Sequence, residues 1–119
     1  MRGDREMDQM PEAMREAIAG MRVKFIDDIE EKILFLEAAL ADLRDGVTPL
    51  EAARKIEMAS HSLAGLAPSL GFAEVGAAAV KSELAWARTL EERDSDAALQ
   101  NALEAVELLM DRLEAELPE

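Results

Sequence analysis

The chain has 119 residues, half of them hydrophobic, and its 26 Asp and Glu outweigh 13 Lys and Arg for a formal charge of −13. That length suits one domain with a single core. The acidity argues against nucleic-acid binding, which runs on cationic neutralisation of phosphate, and against docking on an anionic membrane. There is no cysteine, hence no disulfide framework, thiolate metal site or redox dithiol. With one histidine, a metal site would rest almost wholly on carboxylates, and none is expected. Apolar runs such as residues 77–80 are far too short to span a bilayer. Residues 1–10 mix charges of both signs and lack an apolar signal-peptide core, so the expected location is cytoplasmic.

Aromatic residues are scarce, Tyr is absent, and Ala, Leu, Glu and Met abound, a composition that favours helix over strand. Apolar residues recur three and four apart. The first series is Met14, Ile18, Met21, Phe25, Ile29, Ile33, Leu36, Leu40 and Leu43. It begins after Pro11, stops at Asp45-Gly46, and contains Gly20, so a kink or a break is expected between Gly20 and Asp28. The second helix is predicted to start at a T-x-x-E capping box, Thr48 to Glu51, with Pro49 in its first turn. Its seam is Ala52, Ile56, Ala59, Leu63, Leu66 and Leu70; Gly71 ends it, and Pro68 should bend or shorten its last turn. A third helix over about residues 72–92 turns Phe72, Val75, Ala79, Trp86 and Leu90 inward. A fourth, capped by Asp94 or Ser95, carries Leu99, Leu103, Val106, Met110, Leu113 and Leu117.

Short connections predict antiparallel neighbours. The expected fold is all-α, an antiparallel up-down four-helix bundle with an additional N-terminal helix or helix extension. Residues 1–10 are expected to form a flexible tail and residues 11–119 one domain.

The single histidine stands out by its placement. At about 100° per residue, His61 lies roughly opposite the seam centred on Ile56 and Leu63, so it projects outward. Arg54, Glu57, Gly65 and Pro68 share that face, flanked by Met58 and Ala64. Glycine is unfavourable inside a helix, and Gly65 stands one turn after the histidine. Either close helix packing or close approach of another molecule to the imidazole would explain it.

The stretch from Ala59 to Phe72, ASHSLAGLAPSLGF, resembles the signature of histidine-containing phosphotransfer (HPt) domains, in particular that of chemotaxis-type histidine kinases. The signature has a hydrophobic residue two positions after the histidine, lysine three after, and glycine four and ten after. Leu63, Gly65 and Gly71 match beside His61, and Ser62 and Phe72 bring the chemotaxis type closer. The resemblance implies a phosphocarrier rather than an enzyme. His61 would hold a phosphoryl group passed between a histidine kinase and response-regulator aspartates, with Mg²⁺ in the partner's active site and no cofactor of its own. Neutral imidazole is the nucleophile, and an unperturbed histidine is mostly neutral near neutral pH. The partners implied are a histidine kinase, a response-regulator receiver domain, or both, with the chain itself a monomer.

One position departs from the pattern: the family's lysine is Ala64 here. That lysine favours the negative charge of the phosphohistidine, so its loss should weaken or retune transfer unless Arg54 or the partner supplies a cation. In chemotaxis-type domains a glutamate 22 positions after the histidine hydrogen-bonds its Nδ1, and the resemblance carries that role to Glu83. Val80, Leu84 and Ala87 are expected to widen the apolar seam around it; the competing reading is a rim ion pair of Glu83 with Lys81 or Arg88. The docking patch is expected to comprise Leu50, Met58, Ala64, Gly65 and Pro68, with Arg54 and Glu57 at its rim. Two rival functions are an HPt-like adaptor that binds a kinase or regulator without carrying phosphate, and a helical dimerisation module. Ser60 and Ser62 point to other sides of the helix and make no Ser-His pair. Met14, Met21 and Met110 are expected as bundle filler, Trp86 as core, and Asp27, Asp28, Glu30 and Glu31 as a solvated face.

Overall fold

Helix formers fill the chain from Glu12 onward, and the computed structural model, which describes residues 10–119, is a helical bundle with no strand among them. Its helices are α1 (Glu12–Asp27), α2 (Ile29–Arg44), α3 (Pro49–Ser69), α4 (Ala73–Glu91) and α5 (Asp96–Glu114). The expected N-terminal tail lies, but for Met10, outside the described residues.

The first apolar series breaks at Asp28, at the far end of the interval that Gly20 suggested. The break is shallow. The Asp28 amide still bonds Lys24 O at 3.0 Å and its carbonyl accepts from the Lys32 amide at 3.1 Å. Two helix ends are closed by paired amide bonds around a left-handed glycine. At α2, Gly46 (φ 72°) and Val47 donate to Leu43 O and Asp42 O; at α3, Gly71 (φ 89°) and Phe72 donate to Pro68 O and Ala67 O. The Thr48 capping box does not form. Thr48 sits at φ 42°, ψ 58°, whereas an N-cap needs extended backbone to aim its hydroxyl at the first free amides. Pro49 still opens α3, since its missing N–H needs no cap. Ser95 does cap α5, accepting from the Ala98 amide at 3.1 Å.

Helix α3 packs most extensively on α4, α4 on α5, and α2 against both α3 and α5, while α1 barely touches α2. Phe25, Ile29, Leu36, Leu40, Ile56, Leu63, Val75, Trp86, Val106, Leu109 and Leu113 fill the core. Each large apolar side chain buried there contributes roughly 1.5–3 kcal/mol. The Trp86 indole N–H is buried without an acceptor.

Several expected seam residues lie elsewhere. Met14 and Met21 are exposed: the long axis measures 51 Å, against about 31 Å for a helix the length of α3, so the start of α1 projects past the bundle, and Met21 lies at the rim of a groove with Leu66 and Leu70. Met110 does pack against the core. Leu66, Val80 and Leu84 are exposed, Leu66 at the edge of the α2–α3 groove and Leu84 at the edge of a groove between α4 and α5. The α5 seam is wider than expected: Val106 and Leu113 are buried together with Ala98, Ala102 and Leu109, while Leu99, Leu103, Met110 and, past the helix end, Leu117 are partly buried against the core. Pro68 does not cut α3 short: the helix runs through it to Ser69.

Pro68 has a different role. A Cβ built on Gly76, at the start of α4, would stand 2.5 Å from Pro68 Cγ and 2.9 Å from its Cδ. Gly76 therefore lets α4 seat directly on a rigid proline ring at the end of α3. Gly76→Ala sets a helix-propensity gain of about 1 kcal/mol against overpacking of about 1–3 kcal/mol. The expected result is a net loss, seen as a fall of several degrees in Tm by calorimetry. A rise in Tm, as at an open helix position, would contradict this packing.

Candidate functional site

The α3–α4 pair carries the site. Gly71 turns the chain with a positive φ that other residues adopt only under strain, and the turn is held from outside by α1. Arg22 Nη1 donates to Leu70 O at 2.6 Å, its guanidinium lies 4.8 Å from the centre of the Phe72 ring, and Phe72 stacks on Phe25 with centroids 4.7 Å apart. The arginine thus takes one of the carbonyls left free at the end of α3 and fixes the corner between the two helices.

His61 projects from the middle of α3 with 76% of its side chain exposed, as its phase on the helix predicts. Its Nδ1 hydrogen-bonds Glu83 Oε2, across to α4. Glu83 is itself only 26% exposed, so its carboxylate sits in the wall of the bundle and the imidazole stands above it. A carboxylate is acceptor-only, so the bond requires Nδ1 to carry the proton. Nε2 then holds the lone pair on the open side of the ring. The competing pairing of Glu83 with Arg88 is absent: Arg88 Nε instead donates to Glu92 Oε2 at 2.8 Å. That neighbouring carboxylate raises the Arg88 guanidinium above its ordinary value, mainly through the hydrogen bond.

Around the imidazole, Met58, Gly65 and Pro68 are exposed and Ala64 and Glu57 are half-buried. A Cβ on Gly65 would meet nothing within 4 Å, so close helix packing does not account for this glycine; that constraint belongs to Gly76. Arg54 is exposed but stands seven residues before His61, about 10 Å along the axis, and makes no ion pair with His61 or Glu83. Leu50 is farther still, about 16 Å along the axis, and lines a separate groove with Leu43, Thr89, Leu90 and Leu99. The structure therefore gathers Met58, Ala64 and Gly65 around His61 and leaves Leu50 outside that group. Val80 and Leu84, expected in the apolar seam of α4, are instead exposed beside the site: Val80 stands one turn before Glu83 and Leu84 directly follows it. On the other flank a groove of about 370 Å³ runs between α2 and α3, lined by Phe35, Leu36, Ser62, Leu63 and Leu66 with Asp28, Glu31 and Lys32 at its edge.

Among the described residues no three His, Asp or Glu side chains are grouped to hold a metal ion, and no helix is long and apolar enough to cross a membrane. No curated protein and no solved structure matches the chain. The sequence model of the Hpt domain does match, over residues 20–116. That span begins inside α1, takes in all of α2 to α5, and includes both His61 and Glu83. An outward histidine held by a carboxylate on the next helix, inside a chain that fits this model over most of its length, places the protein in the Hpt domain family.

Proposed function

We propose that the chain is a phosphocarrier in a two-component phosphorelay, accepting a phosphoryl group on His61 and passing it on. The observation that carries this reading is the His61–Glu83 hydrogen bond on an open face. The Nε2 lone pair attacks phosphorus of an aspartyl phosphate or of a nucleotide held by a kinase. The N–P bond forms as the P–O bond to the leaving carboxylate or nucleotide breaks. No proton has to leave Nε2, because Nδ1 already carries the ring's one proton. The ring becomes cationic as the bond forms, and Glu83 stands against the nitrogen that bears its remaining proton, where negative charge is most favourable. In the antiparallel four-helix arrangement we infer, this wall of α3 and α4 faces outward to a receiver domain or kinase. Mg²⁺ and the acidic pocket that bind the phosphoryl group belong to that partner, and the chain works as a monomer in the cytoplasm.

The docking patch we propose centres on Met58, Ala64, Gly65 and Pro68 of α3, with Glu57 and Arg54 toward its rim. The exposed Val80 and Leu84 extend it onto α4, and Phe35 and Leu66 extend it toward α2. Leu50 would contact only a partner that reaches along α3. Exposed apolar residues at this density mark an interaction surface. Ala64 in place of the family's lysine favours the second reading, an adaptor that binds without carrying phosphate, because the position three residues after His61 supplies no cation.

The two readings separate on labelling. His61→Gln should abolish acid-labile, base-stable phosphate from a kinase or phosphorylated receiver, with helix content and Tm nearly unchanged, because an exposed side chain adds little to the core. Labelling that survives the substitution would remove His61 as acceptor, and no labelling of the unaltered chain by any donor would leave the adaptor. The approach path is tested at Gly65. Gly65→Gln should raise Tm slightly, since the site is open and glycine is the poorer helix former by up to about 1 kcal/mol. The same change should slow phosphotransfer at least tenfold by standing over the imidazole. Transfer at the unaltered rate would move the docking face elsewhere.

A further inference from the structure

One residue before His61 and one before Glu83 lie two serines that are wholly buried. Ser60 and Ser82 are both 0% exposed, and their hydroxyls are 2.7 Å apart across the α3–α4 interface. Ser60 Oγ also donates to Ile56 O at 2.8 Å. Each serine has one hydroxyl proton. If that of Ser60 goes to Ile56 O, the contact between the hydroxyls is completed only when Ser82 donates to Ser60. The chain of donors then runs Ser82 to Ser60 to Ile56 O, with every buried proton satisfied.

The place of this bond matters more than its strength. One residue along a helix is about 1.5 Å of rise. The serine bond therefore lies at nearly the same level of the interface as the His61–Glu83 bond, directly inside it. A serine hydroxyl stands one bond from Cβ and has one torsion, so a 2.7 Å bond between two of them fixes how far α4 can slide or roll on α3. A glutamate has three torsions and follows loosely. Apolar contacts among alanines, which surround this level at Ala59, Ala78, Ala79 and Ala85, are non-directional and permit sliding. Besides the His61–Glu83 bond itself, the serine bond is the directional contact between α3 and α4 at this level, and the buried one.

We propose that the Ser60–Ser82 hydrogen bond pins the register of α3 against α4 and so positions Glu83 under His61 Nδ1. The two serines are positioning residues for the imidazole tautomer. This rests on the reading that the Glu83 bond sets which ring nitrogen is free, and it does not depend on who supplies the phosphoryl group.

The test uses the full chain labelled with ¹⁵N and reads the two ring nitrogens of His61 by NMR at a pH where the imidazole is neutral. The informative variant is Ser82→Ala, because Ser60 keeps Ile56 O as acceptor and no buried donor is orphaned; its Tm should stay close to that of the unaltered chain. The unaltered chain should show the proton on Nδ1. In Ser82→Ala the ratio of Nδ1–H to Nε2–H forms should fall about fivefold, the factor given by losing one hydrogen bond's net contribution. Ser60→Ala, which strands the Ser82 hydroxyl, should show the same change in tautomer and lose several degrees in Tm. In a Glu83→Ala background Ser82→Ala should change the tautomer no further, because the serines act through that carboxylate. Unaltered tautomer shifts in Ser82→Ala, or an equal further shift without Glu83, would overturn the proposal. An unaltered chain with its proton on Nε2 would instead remove the His61–Glu83 premise, and with it the mechanism above.

Discussion

An imidazole on an open helix surface has two nitrogens of similar basicity, and a carboxylate can bond only the one that carries the proton. The contact between Glu83 and His61 Nδ1 makes the nitrogens unequal. Every other feature of the site follows from having that contact on this wall of the bundle. Nε2 is free because Nδ1 is engaged. It is accessible because α3 turns its apolar arc to the other helices and His61 away from them. The carboxylate is held because α4 lies close enough to put a partly buried glutamate within reach.

Close approach of α4 to α3 has identifiable causes. Small residues face each other along the interface, with Ala67, Gly76, Ala78 and Ala79 all buried. Gly76 receives the Pro68 ring, the left-handed Gly71 closes the corner, and Arg22 clamps the Leu70 carbonyl from α1. The serine bond inside the site adds a direction to contacts that otherwise only attract. In this arrangement α1 is part of the site's scaffold although it carries none of its chemistry.

Helix phase alone was enough to turn His61 outward, because the branched side chains of Ile56 and Leu63 mark the buried arc and His61 lies roughly opposite it. The partner of His61 was legible only through resemblance to a family: spacing along the chain cannot say which residue of a neighbouring helix stands opposite. The same limit hid Ser60 and Ser82, whose small polar side chains carry no periodic signal. Gly65 and Gly76 look alike in sequence, yet one faces open space and the other a proline ring, a difference that exists only after packing. Leu66, Val80 and Leu84 were misplaced inward because periodicity gives the direction of an apolar arc but not its width. Thr48 failed as a cap because the α2–α3 turn spends a positive φ on it, a backbone demand that the T-x-x-E pattern does not reveal.

Which nitrogen of which residue carries the phosphoryl group decides the mechanism. Phosphorylating the chain with a charged receiver domain or kinase and reading the product by ³¹P and ¹⁵N NMR answers both questions at once. The expected product is one phosphohistidine, on Nε2 of His61, with Nδ1 still protonated against Glu83. A phosphoryl group on Nδ1, or on any other residue, would contradict the mechanism.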